Sequence, residues 1–354
     1  MSFTEKFANT YKRLLPTPFT IAVILTLLTF VLAYVFTKPT EKGALEYIAD
    51  LGGFWENGLW NDGKGGLYFA FQMMLMLVLG HVLALSKPID KVIQKALFYC
   101  KDTASSAATV VFLTMAVGLF NWGLGLIFGA IFARKVGEKF SRLELPLNYP
   151  LIGAAGYSGM MVWHGGLSGS SLTKVAESGH LKKLVADFNP DLAVLLPNQI
   201  TFAETVFSPM NIVISAALLV ILPLALYRLG KNSTSVIPTL NSVEKPIEEI
   251  ISSGAERLDY SKWVGIAFGL IVLLVAMLKL LNQNSGQLLS FFTANNINLL
   301  LLSLGLLFHQ SFSAFLKALE SAVGGVSGIL IQFPLYFGIM GMMKSSGLVD
   351  VFSQ

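Results

Sequence analysis

Charge is scarce in this chain. Only 13% of its 354 residues are Asp, Glu, Lys or Arg, about half the quarter expected of a soluble domain. Cysteine is scarcer still. A lone Cys100 excludes an internal disulfide and any cysteine-based metal site. No His, Asp or Glu pair has metal-ligand spacing, so neither a metal nor a cofactor is expected. The net charge of +4 does not point to nucleic acid, because the basic residues sit at the ends of apolar runs. No short-period repeat is visible.

Apolar residues make up 54% of the chain, with 26 Phe among them, and mean hydropathy is +0.65. These values predict an all-α polytopic membrane protein embedded in a lipid bilayer. A basic lead-in with Lys6, Lys12 and Arg13 precedes eighteen apolar residues, 19–36. That run is longer than a signal-peptide core and is expected to be a retained first span. Residues 37–66 read as a polar, Gly-rich connection with Trp55 and Trp60 at the membrane interface. A second span follows at 67–85, then an amphipathic surface helix over 87–102. Later spans are expected at 147–163, 206–227, 263–281, 288–308 and 321–343, with a polar linker at 228–262.

The organising stretch is 103–173. Its first thirty-one residues, 103–133, carry no Asp, Glu, Lys or Arg, and lysines and arginines flank both ends. Between 118 and 169 lie eleven Gly, more than twice the chain's average frequency. Glycine weakens a helix by roughly 1 kcal/mol against Ala. Irregular backbone at membrane depth is tolerated only when buried in protein or lining a cavity. Residues 103–133 are therefore expected to form a re-entrant hairpin, with arms of about 15 residues too short to span and Asn121-Trp122-Gly123 near the tip.

Topology follows from counting Lys and Arg. If 103–133 enters and leaves on the cytoplasmic side, seventeen fall inside and seven outside; a single crossing there gives eleven and thirteen. The positive-inside rule favours the hairpin, with the N-terminus cytoplasmic. Hairpins and broken helices near the midplane are how secondary transporters bind substrates, and free N–H groups at a half-helix N-terminus suit an anion.

Several side chains could then carry chemistry. Asn121 could bond a substrate or a coupling ion, or cap the second arm. His164, beside Gly165 and Gly166, is either functional or a neutral helix anchor. Ser158, Ser168, Ser170, Ser171 and Thr173 offer hydroxyls to a carboxylate or Na⁺, or else pack helices. Glu204 could carry a proton if buried, or be an exposed loop carboxylate. His81 and His309 read as packing histidines, and Asn295, Asn296 and Asn298 as interface caps. A membrane-embedded serine hydrolase would use His164-Gly-Gly, but Gly156-Tyr-Ser158-Gly and Gly166-Leu-Ser168-Gly both miss the Gly-x-Ser-x-Gly spacing.

The run Asn121-Trp-Gly-Leu-Gly-Leu-Ile-Phe-Gly-Ala-Ile-Phe-Ala-Arg-Lys135 resembles the short-chain fatty acid transporter family of bacteria. So do Ala155-Gly-Tyr-Ser-Gly, Val162-Trp-His-Gly-Gly-Leu-Ser-Gly-Ser170 and Glu204-Thr-Val-Phe-Ser-Pro-Met-Asn211. Leu304-Gly-Leu-Leu-Phe-His309 and Gln332-Phe-Pro-Leu-Tyr-Phe-Gly-Ile-Met-Gly341 extend the match over nearly the whole chain. The resemblance implies a non-enzymatic, ion-coupled secondary carrier of acetoacetate, butyrate and similar monocarboxylates in the cytoplasmic (inner) membrane. Carriers of larger or dicarboxylate anions are the alternative. It implies two inverted repeats, each with a hairpin, moving as an elevator. The first repeat would be 1–227, the linker 228–262 and the second repeat 263–354. The family's second hairpin, marked by a Pro-Ser-Gly-Gly-Gly run, has no counterpart before Gln354, so the second repeat is expected to be incomplete. The substrate site would gather Asn121, Trp122, Gly123, Gly125, Ser158, His164, Gly165, Gly166, Ser168 and Ser170. Glu204 and Asn211 are candidates for coupling to H⁺ or Na⁺, and a homodimer is a candidate assembly.

Overall fold

The computed structural model describes residues 10, 15–60, 66–186, 190–240, 254–282 and 291–353. The basic residues of the lead-in and the start of the span expected at 288–308 lie outside these. Among the described residues there is no β-strand, only one antiparallel bridge between Leu147 and Val236.

The principal helices are α1 (Pro18–Thr37), α2 (Ala44–Trp60), α3 (Gly66–Ala84), α4 (Lys87–Ala96), α5 (Thr103–Phe120), α6 (Trp122–Arg142), α7 (Tyr149–Tyr157), α8 (Pro209–Lys231), α9 (Lys262–Leu281), α10 (Ala294–His309), α11 (Phe312–Val323) and α12 (Ser327–Ser345). Six stretches are long and apolar enough to cross a membrane: α1, α3, α5, α8, α9 and the run Phe312–Ser345. The chain is an all-α, polytopic membrane protein.

Two compact units form, Met1–Met74 with Gly324–Gln354, and Leu75–Val323. In the first, Ala33, Tyr47, Leu51, Met342 and Leu348 make the core. Thr37 Oγ1 and Tyr47 Oη share a 2.7 Å hydrogen bond that ties α1 to α2. Helix α2 occupies most of the stretch expected to be a polar, Gly-rich connection. Its buried Tyr47, Leu51 and Leu59 lie at multiples of four, one helical face. Gly52, Gly53 and Gly58 obscure that face in the sequence.

The second unit is built on α5 and α6. Asp102 starts α5 with a capping box: its carboxylate accepts from the Ser105 backbone N–H at 2.7 Å, and Ser105 Oγ accepts from the Asp102 N–H at 3.1 Å. The helix stops at Asn121, whose backbone is extended (φ −149°, ψ 126°). Helix α6 then runs back along α5. A Cβ on Gly125 would lie 2.7 Å from the Gly118 Cα, so the two backbones meet where neither residue has a side chain. Further along, a Cβ on Gly129 would lie 2.7 Å from Thr114 Cγ2. The pairs 118/125 and 114/129 have the constant sum of an antiparallel hairpin. Val110, Val111, Met115, Phe128, Phe132 and Val136 fill the seam.

The hairpin corrects the expected arm length. Its arms have 18 and 21 residues, not about 15, and 18 residues reach about 27 Å. Length alone no longer argues that the arms stop short of the far side. The expected continuous span at 147–163 is also corrected. Helix α7 ends at Tyr157, and two 3-10 turns, Ser158–Met161 and Trp163–Gly165, carry the chain on. Glycines at 153, 156 and 159 weaken the helix there. The run 321–343 is likewise interrupted, by a 3-10 turn at Gly324–Val326.

His309 and Asn296 make the structural bonds expected of them. His309 Nε2 lies 2.8 Å from the Val82 carbonyl near the end of α3. Asn296 Nδ2 donates to the Phe291 carbonyl at 2.7 Å, and its Oδ1 accepts from Lys279 Nζ at 2.7 Å. Lys139 Nζ donates to the Leu97 and Cys100 carbonyls, both at 2.7 Å, a cation placed on the freed carbonyls of a helix end. At the hairpin base, Thr103 Oγ1 shares a 2.9 Å bond with Ser235 Oγ and accepts from the Asn148 N–H at 3.1 Å.

Candidate functional site

The hairpin tip is assembled by one residue with two capping roles. Asn121 is fully buried. Its N–H donates to the Val117 carbonyl at 2.9 Å, closing α5. Its Oδ1 accepts from the Leu124 N–H at 2.8 Å and its carbonyl accepts from the Gly125 N–H at 2.8 Å, opening α6. A backbone N–H can only donate, so the oxygen must face Leu124 and the amide nitrogen must face away. That nitrogen, Nδ2, is buried and has no hydrogen-bond partner among the described residues. Trp122 Nε1, one residue on, is in the same condition.

Two segments hold the tip. The first is the Gly-rich stretch after α7. Ser168, buried, accepts the Trp122 N–H on its Oγ at 2.8 Å. The Leu167 N–H donates to the Leu119 carbonyl at 2.8 Å, and Gly166 lies against that same carbonyl. The Trp163 ring lies 5.8 Å from the Trp122 ring, and the His164 ring lies 3.8 Å from Trp163. The second segment is the later half of α3. A Cβ on Gly80 would lie 2.6 Å from the Leu124 nitrogen and 3.1 Å from Asn121 Oδ1. A Cβ on Gly123 would likewise lie 2.9 Å from the Leu77 Cα.

Of the expected residues, Asn121, Trp122, Gly123, Gly125, Gly166 and Ser168 are thus brought together. Gly165 joins them indirectly: Asn211 Nδ2, in the first turn of α8, donates to the Gly165 carbonyl at 2.9 Å and to the Val206 carbonyl at 2.7 Å. Asn211 therefore pins the turn that carries Trp163 and His164. His164 is exposed at the edge of the aromatic stack. Ser158 and Ser170 are not gathered by their hydroxyls. Ser158 Oγ donates to the Ala154 carbonyl at 2.9 Å, and Ser170 opens a six-residue helix, Ser170–Val175, with its carbonyl accepting from Thr173 Oγ1 at 3.0 Å.

Glu204 takes the exposed of the two placements expected for it. It is exposed, and its Oε2 accepts from both the backbone N–H and the hydroxyl of Thr201, each at 2.8 Å. These two bonds hold its carboxyl below the usual carboxylate range. A carboxylate stabilised as an anion at an exposed turn is a cap, not a buried proton carrier. The expectation also missed Trp163 and Gly80. Trp163 stood in the quoted Val162–Ser170 run. Gly80 gave no local signal, because its partner is forty residues away.

At the tip a 21-residue helix begins, and two buried donors, Asn121 Nδ2 and Trp122 Nε1, have no hydrogen-bond partner among the described residues. Discontinuous helices near the midplane are where secondary transporters bind their ligands. The family model for the short chain fatty acid transporter matches residues 2–352, and the chain belongs to that family. A protein of Escherichia coli (strain K12) named for short-chain fatty acid transport is 32% identical over 352 residues, covering 98% of this chain and 72% of the relative. Its namesake in Haemophilus influenzae (strain ATCC 51907 / DSM 11121 / KW20 / Rd) is 32% identical over 359 residues, covering 98% and 74%. No solved structure matches. The chain is therefore a multi-pass membrane protein of a secondary-transporter family and not an enzyme. Among the described residues no group of three His, Cys, Asp or Glu could hold a metal.

Proposed function

We propose that the protein carries short-chain monocarboxylates, acetoacetate and butyrate among them, across the cytoplasmic membrane, and that the carboxylate docks at the tip of the α5–α6 hairpin. The observation that carries this reading is the pair of buried donors without acceptors, Asn121 Nδ2 and Trp122 Nε1. A buried polar group left unpaired costs about 1–3 kcal/mol, a cost that a bound carboxylate would remove. The start of a 21-residue helix adds a positive dipole end. The Trp122, Trp163 and His164 rings give an apolar tail something to lie against.

The finer reading follows the sequence. The hairpin enters from the cytoplasmic side, with the N-terminus inside, on the strength of the seventeen-to-seven distribution of Lys and Arg. Residues 1–227 form one repeat and 263–354 belong to its inverted counterpart, joined by 228–262. Movement is of the elevator type, coupled to H⁺ or Na⁺, and a homodimer is the working unit. With the donors shut from solvent in this conformation, access requires the 163–168 segment or α3 to move off the tip.

The test is uptake of labelled butyrate and acetoacetate into liposomes holding the purified chain, with pH and Na⁺ gradients imposed separately. Saturable uptake, blocked by unlabelled butyrate and reduced at least tenfold by Asn121→Ala, is expected. Uptake linear in concentration, or indifferent to Asn121, would overturn the assignment of the site.

A further inference from the structure

Helix α4 begins just past the end of α3 and leads into the hairpin. Its inner face is spent on the protein: Ile93 and Ala96, with Leu97 and Cys100 beyond them, are buried in the core around the hairpin. The outer face of a surface helix should then be polar, yet this one alternates. Lys91, Lys95 and Lys101 are exposed, and among them stand Val92, 48% exposed, Phe98, 72%, and Tyr99, 64%. Positions 91, 92, 95, 98 and 99 follow the spacing of one helical side, and the 3-10 turn Leu97–Tyr99 continues it. The Phe98 and Tyr99 rings meet edge to face with centroids 5.6 Å apart, and Lys101 Nζ lies 5.9 Å from the Phe98 centroid.

The charge on this side is one-signed. Among the described residues no ion pair involves Lys91, Lys95 or Lys101. Between 87 and 102 the carboxylates are Asp90 and Asp102, and Asp102 is committed to the Ser105 N–H and hydroxyl, each at 2.7 Å. Exposed Arg228 and Lys231, in the last turn of α8, add cations at the same end, because Gly230 packs on Ala104 at the start of α5.

We propose that this face binds anionic phospholipid, the headgroup phosphate held by Lys91, Lys95 and Lys101 and the acyl chains lying against Val92, Phe98 and Tyr99. Exposed rings beside lysines fit the boundary of a bilayer, where the rings enter the acyl region and the ammonium groups reach the headgroups. Each lysine near an anionic membrane surface is worth roughly fivefold in affinity. A soluble phosphate would leave the rings in water, so the occupant is the lipid. Lys139 gives the binding a consequence. From α6 it donates to the Leu97 and Cys100 carbonyls, both at 2.7 Å, so the segment carrying the rings is tied to the second arm of the hairpin. A lipid bound on the outer side holds the base of the hairpin at a fixed depth.

The experiment needs no transport, so its outcome is independent of the carrier reading. The full chain in detergent is titrated with phosphatidylglycerol, or with phosphatidylcholine of the same acyl chains, and bound lipid is counted by native mass spectrometry. Phosphatidylglycerol should bind tighter by about tenfold or more, a preference that shrinks with added salt. Replacing Lys91, Lys95 and Lys101 together by Gln should weaken its binding about tenfold or more and remove the salt dependence. Replacing Lys182, Lys183 and Lys317 by Gln, an equal change of net charge elsewhere, should leave binding as native. Phe98→Ala with Tyr99→Ala should weaken binding about fivefold and keep the salt dependence. Thermal unfolding checks that each variant folds, as expected for exposed side chains; if the triple Lys variant does not, the single Lys95→Gln, with about a fivefold loss, decides. Equal binding of the two lipids, or a folded lysine variant that binds phosphatidylglycerol as native does, would overturn the proposal. Displacement of the lipid by inorganic phosphate would overturn it too, in favour of a soluble anion.

Discussion

The backbone N–H of Trp122 donates to Ser168 Oγ at 2.8 Å across 46 residues of sequence. This bond joins the first residue of α6 to the Gly-rich segment that follows α7. It also gives a helix-start N–H a partner that the helix itself cannot supply. Ser168→Ala should leave that N–H buried and unpaired, at a cost of about 1–3 kcal/mol. The expected outcome is a lowered unfolding temperature in detergent together with reduced uptake. Ser168→Thr, which restores an oxygen, should recover most of the stability. Identical melting of Ser168→Ala and native protein would show that the bond contributes nothing.

Gly80 sets how closely α3 approaches the tip. A Cβ there would lie 2.6 Å from the Leu124 nitrogen, a backbone atom that cannot rotate away. Gly80→Ala should push α3 off the hairpin and disturb the Asn121–Leu124 cap. The destabilisation expected of overpacking is about 1–3 kcal/mol. Transport should fall with it, whereas Gly53→Ala, at a position with open space beside it, should melt and transport as native. A Gly80→Ala protein indistinguishable from native would mean that the contact yields freely.

The parts of this molecule legible in the sequence are those where local signals suffice. The apolar runs of α1, α3 and α9 were read to within two residues, because a bilayer demands length and hydropathy directly. The break at Asn121 was legible too, as a lone Asn among glycines in an uncharged stretch. What escaped depends on distant partners or on glycines that hide a pattern. Helix α2 was missed because three glycines interrupt its face, and α7 was drawn too long because hydropathy is blind to helix breaks. At the tip, composition and motif single out Asn121, Trp122 and Ser168, which the structure brings together. Gly80 was not, since its requirement for no side chain arises only from packing. The choice between a buried and an exposed Glu204 stays open in the sequence, which gives its charge but not the Thr201 bonds that hold it at an exposed turn.

Acid should weaken the base of the hairpin. The Ser105 backbone and hydroxyl bonds hold the Asp102 carboxyl below the usual carboxylate range. A depressed folded pKa stabilises above the unfolded value, about 3.9, and the stabilisation is lost as pH falls through the folded pKa. Unfolding followed from pH 7 to pH 3 should show Asp102→Asn less stable than native at neutral pH, with the gap closing below about pH 4. A gap that stays constant would show that the charge is irrelevant to the cap.

Transport should not need the Glu204 carboxylate as a proton carrier. Its bonds to Thr201 favour the ionised form, and it is exposed, so it has no reason to load a proton near neutral pH. Glu204→Gln should keep the native pH profile of uptake between pH 5.5 and 8. Loss of that pH dependence in Glu204→Gln alone would return the residue to the coupling role.

The side from which the hairpin enters can be read chemically because Cys100 is silent. Its thiol is buried, and burial pushes its pKa up to about 11, so almost no thiolate exists at pH 7.5. Native protein should resist an impermeant maleimide until denatured. Lys101 and Arg142 flank the two arms of the hairpin and are both exposed, so cysteines placed there report its base directly. The antiparallel packing requires both to label from one side, and the distribution of Lys and Arg makes that side the cytoplasm. A third cysteine at Phe120, exposed beside the tip, separates a re-entrant hairpin from a fully crossing one. Labelling of Phe120→Cys from the cytoplasm, or no labelling without substrate-driven movement, fits re-entry. Ready labelling from the far side means that the arms, at 18 and 21 residues, cross completely. Lys101→Cys and Arg142→Cys labelling from opposite sides would break the hairpin itself.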